Sequence, residues 1–157
     1  MAGSAAECSP AVQWYCTGSR RGRFRAKIRA VSDYSATFLD HYERPRNLGD
    51  LDSPDAVAIV HDATCGDLLR LAVKLERGDH GAGPAVSRIA AIRFKAYGCA
   101  ATIAAASALT EMLVGRTLQE AAAIDQATIV AALDGLPPRR LHAVGLALQA
   151  LAELLRK

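Results

Sequence analysis

The sequence predicts an α+β domain in which a small antiparallel three-stranded sheet packs against a layer of helices. Apolar and polar residues alternate with a period of two in the first half of the chain, and apolar residues recur at helical spacing in the second half. Strands followed by helices are typical of two-layer α+β domains. With 157 residues, 51% hydrophobic but only 5% aromatic, the chain suits one core built from small aliphatic side chains.

The first predicted element is a helix over Ser35–Arg44. Phe38, Leu39 and Tyr42 recur there at helical spacing, and Pro45 ends the helix because its ring disfavours α geometry at the preceding residue. Two turns are predicted next, at 47–50 and 52–55, since both segments are rich in Asn, Gly, Ser, Pro and Asp.

Three strands follow in the predicted order. The first is the short β-branched run Val57–Val60, and the second has Leu69, Leu71, Val73 and Leu75 on one face with polar residues between them. The third alternates in the same way at Ile92, Phe94 and Ala96. The polar, Gly-rich segment Arg77–Pro84 is the predicted loop between the second and third strands, so the three form a meander covered on one face.

After Cys99 the pattern becomes helical. Helices are predicted at Ala100–Val114, at Thr117–Ala123, where Thr117 and Glu120 form a capping box, and at Thr128–Leu133. The last helix follows Pro137-Pro138, and its apolar residues recur every three or four positions: Leu141, Val144, Gly145, Leu148, Leu151, Ala152 and Leu155.

The N-terminal residues 1–32 are predicted to be a disordered basic tail, and residues 33–157 the folded domain. Residues 1–30 contain six basic residues and one acidic residue, a net charge of +5, whereas the remainder has 13 basic and 15 acidic residues, a net charge of −2. Val31 is also a candidate start of the protein if its codon serves for initiation, in which case the tail is an annotation artefact. A basic tail is compatible with nucleic acid, but the domain lacks a basic face with interleaved aromatics.

Composition also argues against several classes of protein. No run of 18 apolar residues is present, which argues against a membrane span, and the N-terminus lacks the apolar segment of a signal peptide. The four cysteines, at positions 8, 16, 65 and 99, are too sparse for a disulfide scaffold. We therefore expect a cytoplasmic protein whose thiols are free or bound to metal.

Four side chains are candidates for a metal site: Cys65, Asp67, Cys99 and His142. Gly66 permits a tight turn in which Cys65 and Asp67 converge on one ion. Cys99 immediately precedes a helix, where unpaired N–H groups favour a thiolate. His142 lies about 100° around the last helix from the apolar stripe, at a position that can face the Cys99 turn.

Each candidate also has a structural interpretation. A single cysteine is most often a small buried hydrophobic residue, and a histidine beside an apolar stripe is usually a boundary residue. Asp67 is compatible with an Asx turn. Paired CxxC motifs, the strong zinc signal, are absent from the sequence.

From Tyr34 to the C-terminus, the chain resembles the iron–sulfur cluster scaffold family that comprises IscU and the N-terminal domain of NifU. Five segments carry the resemblance, in order and with compatible spacing: Leu39–Gly49, Cys65–Asp67, Arg93–Ala100, Ser107–Glu111 and Leu136–His142.

The resemblance implies a scaffold without enzymatic activity that assembles a labile [2Fe–2S] cluster or binds iron or Zn²⁺. The ligands it implies are Cys65, Asp67, Cys99 and His142, and the third cysteine of the family corresponds to Ala143. It also implies a PLP-dependent cysteine desulfurase and recipient apoproteins as partners. An Hsp70-type chaperone is a further implied partner through Leu136–Arg140, although Arg139-Arg140 departs from the usual end of that motif.

Loss of the third thiol leaves three hypotheses open. Two sulfurs, one oxygen and one nitrogen still satisfy tetrahedral Zn²⁺, and a carboxylate in place of a thiolate makes a cluster more labile. The first hypothesis is a divergent cluster scaffold in which Cys99 or Cys65 accepts sulfur, with Cys16 of the tail as a distant substitute ligand. The second is a zinc-binding sulfur-relay or regulatory partner of a desulfurase. The third is a metal-free interaction protein on the same fold.

Overall fold

The computed structural model describes residues 34–76 and 87–157. The predicted tail at 1–32 and the predicted loop Arg77–Pro84 lie outside these residues. The elements follow one another along the chain as helix α1 (Ala36–Glu43), strands β1 (Ala56–His61), β2 (Leu68–Glu76) and β3 (Arg88–Tyr97), and helices α2 (Ala100–Leu113), α3 (Leu118–Ala122), α4 (Gln126–Ala132) and α5 (Leu141–Leu155).

Helix α1 begins and ends where its sequence predicts. The side chain of Ser35, the N-cap, accepts a hydrogen bond from the backbone N–H of Phe38 at 2.9 Å, and Arg44 caps the C-terminus before Pro45. Phe38 and His41 are the buried residues of this helix. The buried imidazole is a polar group in the core, which the apolar pattern alone does not predict.

The sheet is antiparallel with strand order β1-β2-β3, as predicted. Its inner face carries the alternating apolar residues of β2, and a β-bulge interrupts the β2–β3 register between Lys74 and Leu75. At one end of the sheet, Leu68 pairs with both His61 and Tyr97, so β1 ends, β2 begins and β3 ends in one row. The loop 62–67 and the turn at 98–99 therefore leave the sheet side by side.

The helical layer contains the predicted helices, but the start of α4 and the buried face of α5 differ from the predictions. Of the apolar stripe predicted for α5, Val144 and Leu151 are buried, whereas Gly145 and Ala152 are exposed. The buried face is rotated from the predicted one and consists of Ala143, Val144, Leu146, Ala147, Ala150, Leu151 and Leu154.

Thr117 and Glu120 form the predicted capping box of α3. Helix α4 begins at Gln126 rather than at Thr128, because the side chain of Asp125 caps it by accepting from the N–H of Thr128 at 2.8 Å. Thr128, the predicted first residue, is instead the residue whose N–H donates to the capping side chain.

The core lies between the sheet and the two long helices. Helix α5 packs on β1 and β2, and α2 packs on β3 and on α5. Alanines of α2 are almost completely buried, which lets the helix approach its neighbours closely. The fold is thus the predicted three-stranded sheet against a helical layer. Among the described residues, no helix is both long and apolar enough to span a membrane.

Candidate metal centre

The loop between β1 and β2 is a tight turn that holds Cys65 at its tip. The carboxylate of Asp62 accepts from the N–H of Thr64 at 2.8 Å, and the Asp62 carbonyl accepts from the N–H of Gly66 at 2.8 Å. Gly66 has φ +74°, a conformation that side chains with a Cβ rarely adopt. Cys65 is exposed as a result, whereas Asp67 is buried.

Asp67 is held by the start of helix α2. Its Oδ2 accepts hydrogen bonds from the Thr102 hydroxyl and, at 3.4 Å, from the backbone N–H of Cys99. These contacts exclude the predicted alternative in which Asp67 folds back on its own turn. A carboxylate that is 4% exposed and held by hydrogen bonds has a fixed direction, which is what a ligand oxygen requires.

Cys99 is the N-cap residue of α2, and its side chain forms no capping hydrogen bond. Its Sγ lies 3.6 Å from the Thr102 hydroxyl and 3.9 Å from Nε2 of His142. The sulfur is therefore half-buried at the beginning of a 14-residue helix, where the helix dipole stabilises negative charge.

His142 lies in the first turn of α5 and presents Nε2 to the site. Its Nδ1 is 3.2 Å from the carbonyl oxygen of Arg139. Because a carbonyl only accepts, Nδ1 is the donor in this contact, and Nε2 is the ring nitrogen that faces Cys99. The same arrangement orients metal-binding imidazoles in other proteins.

The ligand atoms of Cys65, Asp67 and His142 all lie within 4.8 Å of one another. The sulfur of Cys99 is not part of this group of three, but it lies 3.9 Å from Nε2 of His142. All four predicted site residues thus meet at one end of the sheet. Two soft sulfurs, one nitrogen and one oxygen form a donor set that fits zinc or an iron–sulfur unit in its chemistry, and the ligand role of each residue stays a prediction.

The electrostatics of the turn disfavour the thiolate of Cys65 until a cation arrives. Desolvation by neighbouring atoms raises the pKa of the Cys65 thiol, and the hydrogen-bonded carboxylate of Asp62 and the charge of Asp67 raise it further. A bound metal dication reverses the sign of the local potential and releases the proton. A metal dication held by Cys65 would displace the proton of this thiol.

Ala143, the residue predicted to correspond to the family's third cysteine, is completely buried in the hydrophobic core. It follows His142 on α5, and its methyl group contributes to the packing beneath the site. The described part of the chain has two free thiols, Cys65 and Cys99.

Several residues that position the site were not predicted from the sequence. Thr102 fixes Asp67, and Gly98 leaves room for it, since a Cβ at Gly98 would stand 2.5 Å from Cγ of Asp67. Tyr34 accepts a hydrogen bond from Arg140 at 3.0 Å beside the site. Thr102 lies three residues after the N-cap Cys99, and this spacing in the sequence indicates that its hydroxyl is close to the Cys99 turn.

The chain is similar to known proteins over most of its length. Residues 33–157 match the family model described as NifU-like N-terminal domain. The iron–sulfur cluster assembly scaffold protein IscU 1 of Archaeoglobus fulgidus is 38% identical over 118 residues, which are 75% of this chain and 71% of the relative. The IscU scaffold protein of Azotobacter vinelandii is 39% identical over 127 residues, 78% of this chain and 91% of the relative.

Two solved structures share the fold. A NifU-like protein (N-terminal) from Brucella abortus has a TM-score of 0.57 at 22% identity, and the aligned part is 79% of this chain and 92% of the Brucella chain. A hypothetical protein has a TM-score of 0.59 at 28% identity, with coverage of 78% and 96%.

Proposed function

This chain belongs to the NifU-like N-terminal domain family, and we propose on that premise that it is an iron–sulfur cluster assembly scaffold. In this proposal the protein is not an enzyme. It holds iron or a [2Fe–2S] cluster transiently and passes it to recipient apoproteins, so that the metal centre is cargo rather than a resident cofactor.

One observation supports this function above the others. Donor atoms of Cys65 and Asp67, from one loop, and of His142, from a helix far along the chain, lie within 4.8 Å of one another. A second sulfur, from Cys99, approaches the same imidazole at 3.9 Å. We assign Cys65, Asp67, Cys99 and His142 as the ligands. The carboxylate makes the bound cluster labile, because oxygen matches iron–sulfide units less well than sulfur does.

We assign the role of sulfur acceptor to Cys65. Its thiol is exposed, whereas the sulfur of Cys99 is half-buried between Thr102 and His142. The sulfur of Cys65, whose proton passes to the leaving desulfurase thiolate, attacks the outer sulfur of a persulfide on a cysteine desulfurase. The S–S bond of the donor breaks, the desulfurase thiolate leaves, and Cys65 carries the persulfide without an external oxidant.

The partners in this proposal are a PLP-dependent cysteine desulfurase, recipient apoproteins and an Hsp70-type chaperone that binds Leu136–Arg140. Pro138 and Arg139 of that segment are exposed, so the segment is accessible to a partner. The thiol ligands suit a reducing compartment such as the cytoplasm.

A zinc-binding sulfur-relay partner of the desulfurase is the second candidate function. It is favoured by the donor set itself, since two sulfurs, a nitrogen and an oxygen satisfy four-coordinate zinc without added water. This function predicts stoichiometric zinc in the purified protein and faster desulfurase turnover in its presence.

Anaerobic purification followed by elemental analysis and reconstitution with iron and sulfide tests the proposal. We expect visible absorption of a [2Fe–2S] cluster in the wild type, and loss of most of it in Cys65→Ala, Cys99→Ala and Asp67→Ala. Reconstitution of these variants at the wild-type level would contradict the ligand assignment. Stable zinc that iron and sulfide do not displace favours the relay function, and absence of any metal favours a metal-free interaction protein.

We also propose that residues 33–157 form the scaffold domain, since the family match covers that range. A protein that begins at residue 33 should therefore retain the melting temperature and the metal affinity of the full chain. A lower affinity of the shortened protein would assign a role to the basic segment 1–32, including Cys16.

A further inference from the structure

Arg140 is held beside the metal centre by Tyr34. The Nε–H of Arg140 donates to the phenol oxygen of Tyr34 at 3.0 Å. The ring of Tyr34 in turn stacks on that of Phe38, with centroids 4.1 Å apart and planes 9° apart, and Phe38 is buried. A long side chain that would otherwise be mobile is thus attached to the core through an aromatic pair.

The backbone brings Arg140 close to the ligands. Arg140 is the N-cap residue of α5, two positions before His142. The hydrogen bond to Tyr34 holds the Arg140 side chain at the N-terminal end of α5, the end that carries His142. A full positive charge is therefore fixed at the same helix end as one of the proposed ligands.

The charge of the loaded site requires compensation. Two thiolates and one carboxylate around a dication leave a net charge of −1, and burial of Asp67 makes this excess costly. Helices α2 and α5, of 14 and 15 residues, both begin at the site, and their dipoles offset part of the charge. A guanidinium adds a full positive charge that cannot be lost at physiological pH.

We propose that Arg140, fixed by Tyr34, is a positioning residue that neutralises the excess negative charge of the loaded site and so sets how tightly the site holds its metal. This inference rests on the proposed function, because it concerns the same ligands. The segment 136–140, which the resemblance connects with a chaperone, would then have a second role at the metal site.

Cobalt titration of the full chain under anaerobic conditions tests the inference. Co²⁺ bound to thiolates gives charge-transfer absorption, so affinity is measured without cluster assembly or sulfur transfer. We expect Arg140→Gln to raise the Kd for Co²⁺ about tenfold at low salt, because it removes a unit charge near the ligands in a medium of effective dielectric near 20. The difference should shrink in high salt, because ions screen the interaction.

Three further variants separate charge from structure. Arg140→Lys keeps the charge and should bind Co²⁺ within about threefold of the wild type. Tyr34→Phe removes the hydrogen bond but keeps the charge, and should lie between the wild type and Arg140→Gln. Arg156→Gln removes the same charge at the other end of α5, roughly 20 Å along the helix axis, and should not change the Kd.

The outcomes distinguish this inference from the proposed function. Equal affinity of Arg140→Gln and the wild type, with unchanged melting temperature, overturns the inference and leaves the metal site intact. A Kd that rises equally in Arg140→Lys and Arg140→Gln, without dependence on salt, also overturns it, because packing and not charge is then responsible. Failure of the wild type to bind Co²⁺ removes both proposals. If Arg140→Gln does not fold, Tyr34→Phe and the salt series decide.

Discussion

Gly98 shows how one missing side chain shapes the site. A Cβ at this position would lie 2.5 Å from Cγ of Asp67, which is much shorter than a van der Waals contact. The backbone of the turn and the buried carboxylate therefore occupy space that a larger residue would need. Gly98 is required here for close approach, whereas Gly66 is required for its positive φ.

We expect Gly98→Ala to displace Asp67 and to weaken metal binding. The clash is with a buried side chain held by Thr102, so the free energy of unfolding should fall by roughly 1–3 kcal/mol, as in other overpacked sites. Thermal unfolding of the apoprotein and a Co²⁺ titration measure the two effects.

Gly145→Ala is the matched control. Gly145 is exposed in α5, and a Cβ there would meet nothing within 4 Å. This substitution should stabilise the protein by about 0.5–1 kcal/mol, since alanine is the better helix former. If Gly98→Ala and Gly145→Ala have the same stability and the same Co²⁺ affinity, the lack of a side chain at Gly98 is not required to accommodate Asp67.

His41 is a second residue whose surroundings determine its chemistry. Its Nδ1 forms a 2.9 Å hydrogen bond with the hydroxyl of Ser107, and the side chain is buried between α1 and α2. Burial, followed by the charge of Arg46, lowers the pKa of His41 from its ordinary value of 6.5, against the opposing effects of Glu111 and Asp40. The folded state therefore resists protonation of this imidazole.

The stability of the protein should consequently fall below pH 6.5. The stabilisation is fully present above the unfolded pKa, and it is lost as the pH drops because the unfolded state binds a proton that the folded state resists. The contribution of one group cannot exceed about 1.4 kcal/mol per pH unit. Asn at position 41 can hydrogen-bond with Ser107 but does not titrate, so His41→Asn should lose less stability between pH 7.5 and 5.5. Parallel declines of the two proteins would contradict this assignment.

At the scale of elements, one buried hydroxyl joins α1 to α2. Besides its bond with His41, Oγ of Ser107 accepts from the backbone N–H of Arg46 at 2.9 Å. Ser107 is fully buried in α2, so a single side chain joins α2 to α1 and to the segment that follows it. That segment continues to Gly49, whose N–H donates to the carbonyl of Phe94 on β3 at 2.9 Å.

Removal of this hydroxyl should loosen α1. Ser107→Ala leaves the N–H of Arg46 and Nδ1 of His41 without their partner, which should cost roughly 1–3 kcal/mol of the free energy of unfolding. Chemical denaturation measures this value. Thr128→Ala, at an exposed hydroxyl on α4, is the comparison and should change stability by about 0.5 kcal/mol or less.

At the scale of the whole molecule, the metal centre joins parts that are distant in sequence. Cys65 and Asp67 come from the loop between β1 and β2, Cys99 from the end of β3, and His142 from α5. A metal bound there connects the sheet to both long helices. The unfolded chain has no such cluster, so metal binding is coupled to folding.

Metal should therefore stabilise the fold as a whole. Zinc at about 100 times its Kd adds roughly 2.7 kcal/mol to the free energy of unfolding, which corresponds to a rise in melting temperature of roughly 10 °C for a domain of this size. Calorimetry with zinc and then with excess chelator measures this shift and its reversal. Asp67→Ala should abolish most of it, and a full shift in that variant would exclude Asp67 as a ligand.

The sequence by itself determined the class of fold and the identity of the four candidate ligands. Period-two and helical patterns report which face of a segment is buried, and turn residues report where a segment ends, because both depend on neighbours within a few positions. The one helix start predicted wrongly, at Asp125, was an unrecognised cap of the same local kind. The ligands were found because their motifs match those of a family.

Only the tertiary structure decided how those ligands are held. The burial of Asp67 against Gly98 and Thr102, the bond between Arg140 and Tyr34, and the network of Ser107 join residues 31 to 106 positions apart. Such contacts depend on how the sheet and helices pack, and the periodicity of one segment carries no information about which atom of another it meets. The donor types of the candidate centre are therefore readable in the chain, and the contacts that hold them are visible only in the packed molecule.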